Sequence, residues 1–170
     1  MTTSKTETFA IVGLTADPIK GEKNLQNLVS QLKVFCEILM VSSVYKRDSD
    51  DYLNPQLGRW NKTSELVVAV KIKTSLVCQD LLSRISTVRV VEGGVVSRAN
   101  LLAVDHEILL TPGSTLPEPQ LAQDRLILQC AAEVWADYQH PILLKTLSEL
   151  VKTHPMTDPI EFFSQGNYLY

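Results

Sequence analysis

Apolar residues recur along this chain with two alternating periods. Phe9-Ala10-Ile11-Val12-Gly13 is a short apolar run ended by glycine, which predicts a first strand. Asp17-Pro18-Ile19-Lys20-Gly21 is turn chemistry. From Glu22 to Val34, residues Leu25, Leu28, Val29 and Leu32 form one stripe at helical spacing, with Phe35 beyond. Glu37 to Tyr45 reads as a second strand through Ile38, Met40 or Leu39, Val41 and Val44. Lys46 to Lys62 reads as a long polar loop with a charge run and two aromatics, Tyr52 and Trp60. Ser64 to Thr74 alternates at Leu66, Val68, Val70 and Ile72, which predicts a third strand with one wet face. Val77 to Val88 fits a second helix, and Glu92-Gly93-Gly94 a sharp turn into a fourth strand, Val95 to Val104. Glu107 to Leu110 follows as a short fifth strand. Leu121 to Ala136 and Leu143 to Lys152 read as helices.

The predicted order is β-α-β-β-α-β with helical additions. That is an α+β, ferredoxin-like antiparallel sheet with helices on one face, plus C-terminal helices. The 170 residues read as a single domain, with a core from about 9 to 152 and an irregular tail over 153–170 marked by Pro155 and Pro159.

Charge and composition narrow the function classes. The net charge of -3 argues against a nucleic-acid or anionic-membrane surface. No apolar run approaches the roughly 20 residues that span a bilayer. The polar start has no signal-peptide core. Cys36, Cys78 and Cys130 are far apart beside apolar residues and read as reduced core thiols, so the expectation is a cytoplasmic protein. Asp105-His106-Glu107 looks like a ligand cluster but falls at a turn, where a solvated turn is the simpler reading. His140 before Pro141 reads as a residue that caps or packs a loop.

Several segments, in order, carry a resemblance to a known family. They are Val41-Ser42-Ser43-Val44-Tyr45, Thr111-Pro112 with Thr115-Leu116-Pro117, Ala132-Glu133-Val134, His140-Pro141-Ile142-Leu143 and Lys145-Thr146-Leu147-Ser148-Glu149-Leu150. Over about Phe9 to Val151 the chain resembles the 6-hydroxymethyl-7,8-dihydropterin pyrophosphokinase (HPPK) family of folate biosynthesis. The resemblance implies transfer of pyrophosphate from ATP to a pterin alcohol, with two magnesium ions held by an Asp-x-Asp strand. Counting back without gaps from Glu107 and Thr111-Pro112 places that pair at Arg98 and Asn100. A gap would place it at Leu101 and Ala103. The gapless register keeps the strand face, because residues two apart on a strand point the same way. Neither register supplies the carboxylates that magnesium needs.

Other departures follow from the same alignment. The family's phosphate-side histidine falls on Glu118 and its arginine on Asp124, with Arg125 one step out of register. Its pterin-contacting asparagine falls on Val67, and its Gly-Ser-Asn reads Gly13-Leu14-Thr15. The basic loop that closes over ATP reduces to Glu92-Gly93-Gly94-Val95. Glu118 and Asp124 would repel a triphosphate by roughly 4 kcal/mol per unit charge at 4 Å and an effective dielectric of 20.

These positions set the functional expectation. Arg98, Asn100, Glu118, Asp124 and Arg125 are relic cleft positions, with Arg98 either paired to Glu118 or Asp124, solvated, or contacting an anion. Thr15, Tyr52 and Trp60 are candidate ring-binding residues. No metal site is expected. The chain reads as a catalytically inactive HPPK-like protein that binds a pterin-like small molecule or a protein partner, with oligomers possible. The alternative is an active pyrophosphokinase with displaced catalytic residues, which would use magnesium and ATP. The one Asp-x-Asp, Asp48-Ser49-Asp50, lies in the expected polar loop.

Overall fold

The computed structural model describes residues 6–54, 59–155 and 160–170. In chain order it forms strand β1 (Thr8–Ala16), helix α1 (Gly21–Leu32), and strands β2 (Glu37–Val41), β3 (Val44–Asn54) and β4 (Arg59–Thr74). Helix α2 (Cys78–Ile85) leads to strands β5 (Arg89–Glu92) and β6 (Val95–Val104). A small hairpin, β7 (Leu109–Thr111) and β8 (Ser114–Leu116), precedes helices α3 (Gln120–Gln123), α4 (Arg125–Val134) and α5 (Leu147–Thr153). Strand β9 (Glu161–Ser164) ends the sequence of elements before a last 3-10 turn, Gly166–Leu169.

The α+β, ferredoxin-like reading holds. The main sheet runs β5-β6-β1-β4-β3-β9, with β2 also beside β4, and its pairings are antiparallel. One face carries α1 and α2. Ala10, Val12 and Leu14 of β1 and Leu66, Val68, Val70 and Ile72 of β4 pack there against Leu25, Leu28, Leu32 and Leu81. The C-terminal helices cover the opposite face, where Ile11, Val67, Ala69 and Leu102 meet Leu121, Leu126, Leu128, Val134 and Leu147. Each fully buried leucine contributes roughly 1.5–3 kcal/mol of apolar burial.

Several local expectations are corrected. The third strand has no wet face at its centre, since Val67 and Ala69 are buried beneath α4. Toward its end Lys71 and Lys73 emerge, and Lys71 Nζ lies 4.1 Å from the centre of the Trp135 ring. The expected polar loop 46–62 is instead the two arms of the β3–β4 hairpin, paired Arg47 to Glu65 and Asp48 to Ser64. Those polar cross-strand pairs satisfy the backbone ladder without a hydrophobic alternation, so the period that marks a strand is missing. The expected second strand 37–45 is interrupted at Ser42, whose N–H donates to Ala69 O at 2.9 Å and whose hydroxyl accepts from Ala69 N–H at 2.9 Å.

The single expected helix 121–136 is broken at Asp124. Its carboxylate Oδ1 accepts from Leu126 N at 3.0 Å and Ile127 N at 3.2 Å, starting α4 afresh. The tail is not irregular over its described residues. β9 pairs with β3, and the 3-10 turn behind it buries Gly166 and Leu169.

Glu92-Gly93-Gly94-Val95 is a tight hairpin with both glycines at positive φ, 58° and 79°, as a two-residue turn requires. It joins β5 to β6, so a strand, not the turn alone, separates α2 from β6. His140 acts as the expected cap: its Nδ1 accepts from Ile142 N at 3.3 Å and Leu143 N at 3.2 Å. Burial holds its imidazole below the usual histidine range, which keeps that nitrogen free to accept. The three cysteines are free thiols. Cys130 is buried, and Cys36 and Cys78 are half-buried. Burial raises all three, Cys36 to about 12, so they are poor nucleophiles.

Candidate functional site

The antiparallel register sets three central strands side by side on the α4 face of the sheet. Thr15 of β1 lies between Arg98 of β6 and Val67 of β4, and Gly13 lies between Asn100 and Ala69. These two rows form the floor of a cavity of about 160 Å³. Gln120 of α3 and Ile127 and Cys130 of α4 line it from above, and Arg47 and Glu65 of the hairpin form one wall. Gly13 keeps the floor low: a Cβ there would come within 3.2 Å of Leu102 Cδ1.

Alternation along β6 decides which side chains face this cavity. Ser97, Ala99 and Leu101 are buried, the latter two in the core beneath α1 and α2. Arg98, Asn100 and Leu102 therefore face the opposite side, and all three line the cavity. The strand-face argument that favoured Arg98 and Asn100 over Leu101 and Ala103 thus places two polar side chains in the cleft.

The wall is an internal ion network. Arg47 Nε donates to Glu65 Oε1 at 2.9 Å, and Arg47 Nη2 and Nη1 pair with Glu65 and Asp124 respectively. Burial alone would lower the Arg47 pKa, but hydrogen bonds to Asp124 and Glu65 outweigh it and the net shift is upward. One guanidinium thus ties β3, β4 and the start of α4 together.

This network overturns the expected pairing of Arg98. Asp124 is held by Arg47, and among the described residues Arg98 has no ion-pair partner. Asp124 is therefore an ion-paired cap that shares the Arg47 guanidinium with Glu65. Glu118 is half-buried, and its N–H donates to Leu102 O at 2.7 Å. Arg125 lies on the first turn of α4 and donates from Nη1 to Gln129 Oε1 at 2.9 Å, while its buried Nε has no partner among the described residues. Neither Glu118 nor Arg125 lines the cavity.

Thr15 sits in the cavity floor as a half-buried residue. Tyr52 and Trp60 pair by backbone across β3 and β4, and their side chains lie outside the described part of the structure. Asp105 ends β6 at a positive φ of 39°, and its Oδ1 accepts from Phe9 N at 3.2 Å, which continues the β1–β6 pairing. Among the described residues no group of three His, Cys, Asp or Glu side chains could hold a metal ion.

Arg47, Glu65, Gln120 and Cys130 are cavity residues that the sequence pattern did not single out as one site. Arg47 and Glu65 become legible only once residues 46–65 are recognised as a hairpin, because they are direct cross-strand partners. The signal for Asp124 was local: an aspartate immediately before an apolar helical run is an N-cap. Two quoted motifs also meet. Glu133 accepts from Ser43 N at 2.8 Å and from the Tyr45 hydroxyl, so Ala132-Glu133-Val134 anchors the Ser43–Tyr45 corner. Burial, then Glu133, raises the Tyr45 pKa well above the ordinary phenol range.

No family model and no curated protein matches the chain. Solved structures do. A triple mutant of Plasmodium falciparum HPPK-DHPS with SDX-DHP matches at a TM-score of 0.67 and 10% identity, covering 89% of this chain and 45% of that one. An HPPK-DHPS in complex with substrates matches at 0.63 and 7%, covering 87% and 44%. Wild-type Plasmodium falciparum HPPK-DHPS with pterin and p-hydroxybenzoate matches at 0.55 and 10%, covering 89% and 42%. The fold is HPPK-like. The chain spans less than half the length of these proteins, and at such identities the likeness is one of fold. Among the described residues no helix is long and apolar enough to cross a membrane.

Proposed function

We propose that this chain binds a small ring compound of the pterin class in the cavity over β6, β1 and β4, and does not transfer pyrophosphate. One observation carries the reading: Arg98 and Asn100 face the cavity from the strand where the resemblance would put the metal-binding pair. Magnesium and ATP do not fit these residues. Magnesium takes hard oxygen ligands, usually carboxylates with water and phosphate. The cavity's carboxylate, Glu65, already accepts from Arg47. Asp48, first of the Asp-x-Asp, follows cavity-lining Arg47 on β3 and so points to the other face, where it accepts from Ser64 Oγ. That strand position replaces the expected loop, and among the described residues Glu65 is the one carboxylate that lines the cavity.

The size and lining of the cavity favour a ring. About 160 Å³ is below the roughly 300–1,000 Å³ of pockets for drug-sized ligands, which suits one compact ring system. Ile127, Val67 and Ala69 offer an apolar sandwich, while Thr15, Asn100 and Gln120 offer edge hydrogen bonds. A neighbour of this fold was solved with pterin, and that analogy is one of fold alone, since the match covers 42% of its chain.

A turnover assay tests the negative half. The protein is incubated with Mg-ATP and 6-hydroxymethyl-7,8-dihydropterin, and AMP is followed by chromatography. The expected result is no AMP above the enzyme-free control. Magnesium-dependent AMP formation that scales with protein would establish the alternative, an active pyrophosphokinase with displaced residues.

A further inference from the structure

The charges around the cavity are unevenly placed. On the wall, the one cation Arg47 is shared by two carboxylates, Glu65 and Asp124. On the floor, Arg98 has no ion partner among the described residues. The β5–β6 register then adds a second cation, because Arg89 is the residue directly opposite Arg98. Side chains of directly opposed residues stand on the same face about 5 Å apart at Cβ, and like charges so placed are destabilising. Arg89 likewise has no ion-pair partner among the described residues, and both arginines are exposed. Neutral hydrogen-bonding groups sit beside them. The side chains of Thr15, Asn100 and Gln120 line the cavity and make no hydrogen bond with other described residues.

Two opposed, unpaired guanidinium groups at the rim of a polar cavity are suited to an anion. Arginine's planar fork bonds carboxylate or phosphate oxygens in pairs, and such charge-assisted bonds are roughly twice as strong as neutral ones. We infer that the ligand carries a short oxyanionic substituent, a carboxylate or a phosphate, held at the cavity mouth between Arg98 and Arg89. This rests on the ring-binding reading above and adds the chemical class of the ligand. Arg98 would contact the anion directly and relieve its repulsion from Arg89. The small volume limits the substituent to one anionic group beside the ring, short of a triphosphate.

Calorimetric titration separates the possibilities. The probes are neutral 6-hydroxymethylpterin, pterin-6-carboxylate and 6-hydroxymethylpterin monophosphate, each against wild type, Arg98→Gln and Arg89→Gln. Wild type should bind at least one of the two acids about tenfold or more tighter than the neutral pterin, the scale of one charge-assisted contact. Which acid gains identifies the oxyanion. Arg98→Gln should abolish that preference, and Arg89→Gln should reduce it. Equal affinity for acids and neutral pterin in wild type, or a preference that survives both substitutions, would overturn the anion inference while ring binding stands. Failure of every pterin to bind would remove the ring reading and this inference with it.

Discussion

Asp124→Ala is expected to lower the unfolding free energy by about 2–3 kcal/mol, or roughly 4–12 °C in melting temperature for a chain of this size. Two losses combine. Asp124 caps α4 through bonds to Leu126 N at 3.0 Å and Ile127 N at 3.2 Å, and an aspartate N-cap is worth about 1 kcal/mol over alanine. Its other oxygen pairs with Arg47, and the two side chains keep 21% and 30% of their exposure. That places the pair between a surface bridge, worth about 0–1 kcal/mol, and a buried one, whose breakage costs about 3–5 kcal/mol, so about 1–2 is reasonable. Asparagine caps as well as aspartate, so Asp124→Asn should retain the cap and lose about half as much. Urea unfolding of the three proteins checks this. Asp124→Ala within about 0.5 kcal/mol of wild type would mean that Arg47 does not fasten α4 to the hairpin.

Gly166→Ala should destabilise the fold by about 3 kcal/mol, from overpacking of about 1–3 kcal/mol and partial loss of the burial of Leu169. A Cβ on Gly166 would lie 1.9 Å from Ser42 O and 2.9 Å from Val41 Cγ1. The first of these atoms is backbone, so the 3-10 turn must lift away. Leu169, 2% exposed, then loses cover, and the Tyr170 hydroxyl loses its 3.1 Å bond from Val41 N. Gly113→Ala is the control, since nothing lies within 4 Å of its Cβ, and it should change stability by less than about 0.5 kcal/mol. Urea unfolding and limited proteolysis of the C-terminal segment read both variants. Equal stability of the two would show that the last residues contribute little to the fold.

The sequence carried the central strands and helices because burial imposes a period on them. Leu66, Val68, Val70 and Ile72 mark β4, and Leu25, Leu28, Val29 and Leu32 mark α1, since each set must reach the same core. Where backbone pairing is satisfied by polar partners, the period disappears. Arg47 opposite Glu65 and Asp48 opposite Ser64 read as loop yet build the longest hairpin of the sheet. The tail was illegible for a related reason. Its place depends on β3 as a partner and on Gly166 fitting against Ser42, and neither relation has a local signature. The site followed the same division. Arg98 and Asn100 came from the family resemblance, with strand alternation choosing the register, and Thr15 from the resemblance alone; they converge on the cavity. Arg89 and Arg47 enter only through register, which periodicity alone does not fix. The pairing of Arg98 with Asp124 failed because a closer cation, Arg47, reaches that carboxylate first.

Binding and phosphate chemistry at the cavity can be separated in one amide NMR titration of the uniformly labelled protein. 6-Hydroxymethylpterin is added to saturation, followed by Mg-ATP. The expected result is saturable shifts centred on Gly13, Thr15, Ala69 and Asn100, the paired residues of the cavity floor, with no further change on adding Mg-ATP. Pterin shifts that avoid these residues, or a magnesium-dependent response of Asn100 to ATP, would contradict ring binding without phosphate chemistry in the cavity that Arg98 and Asn100 line.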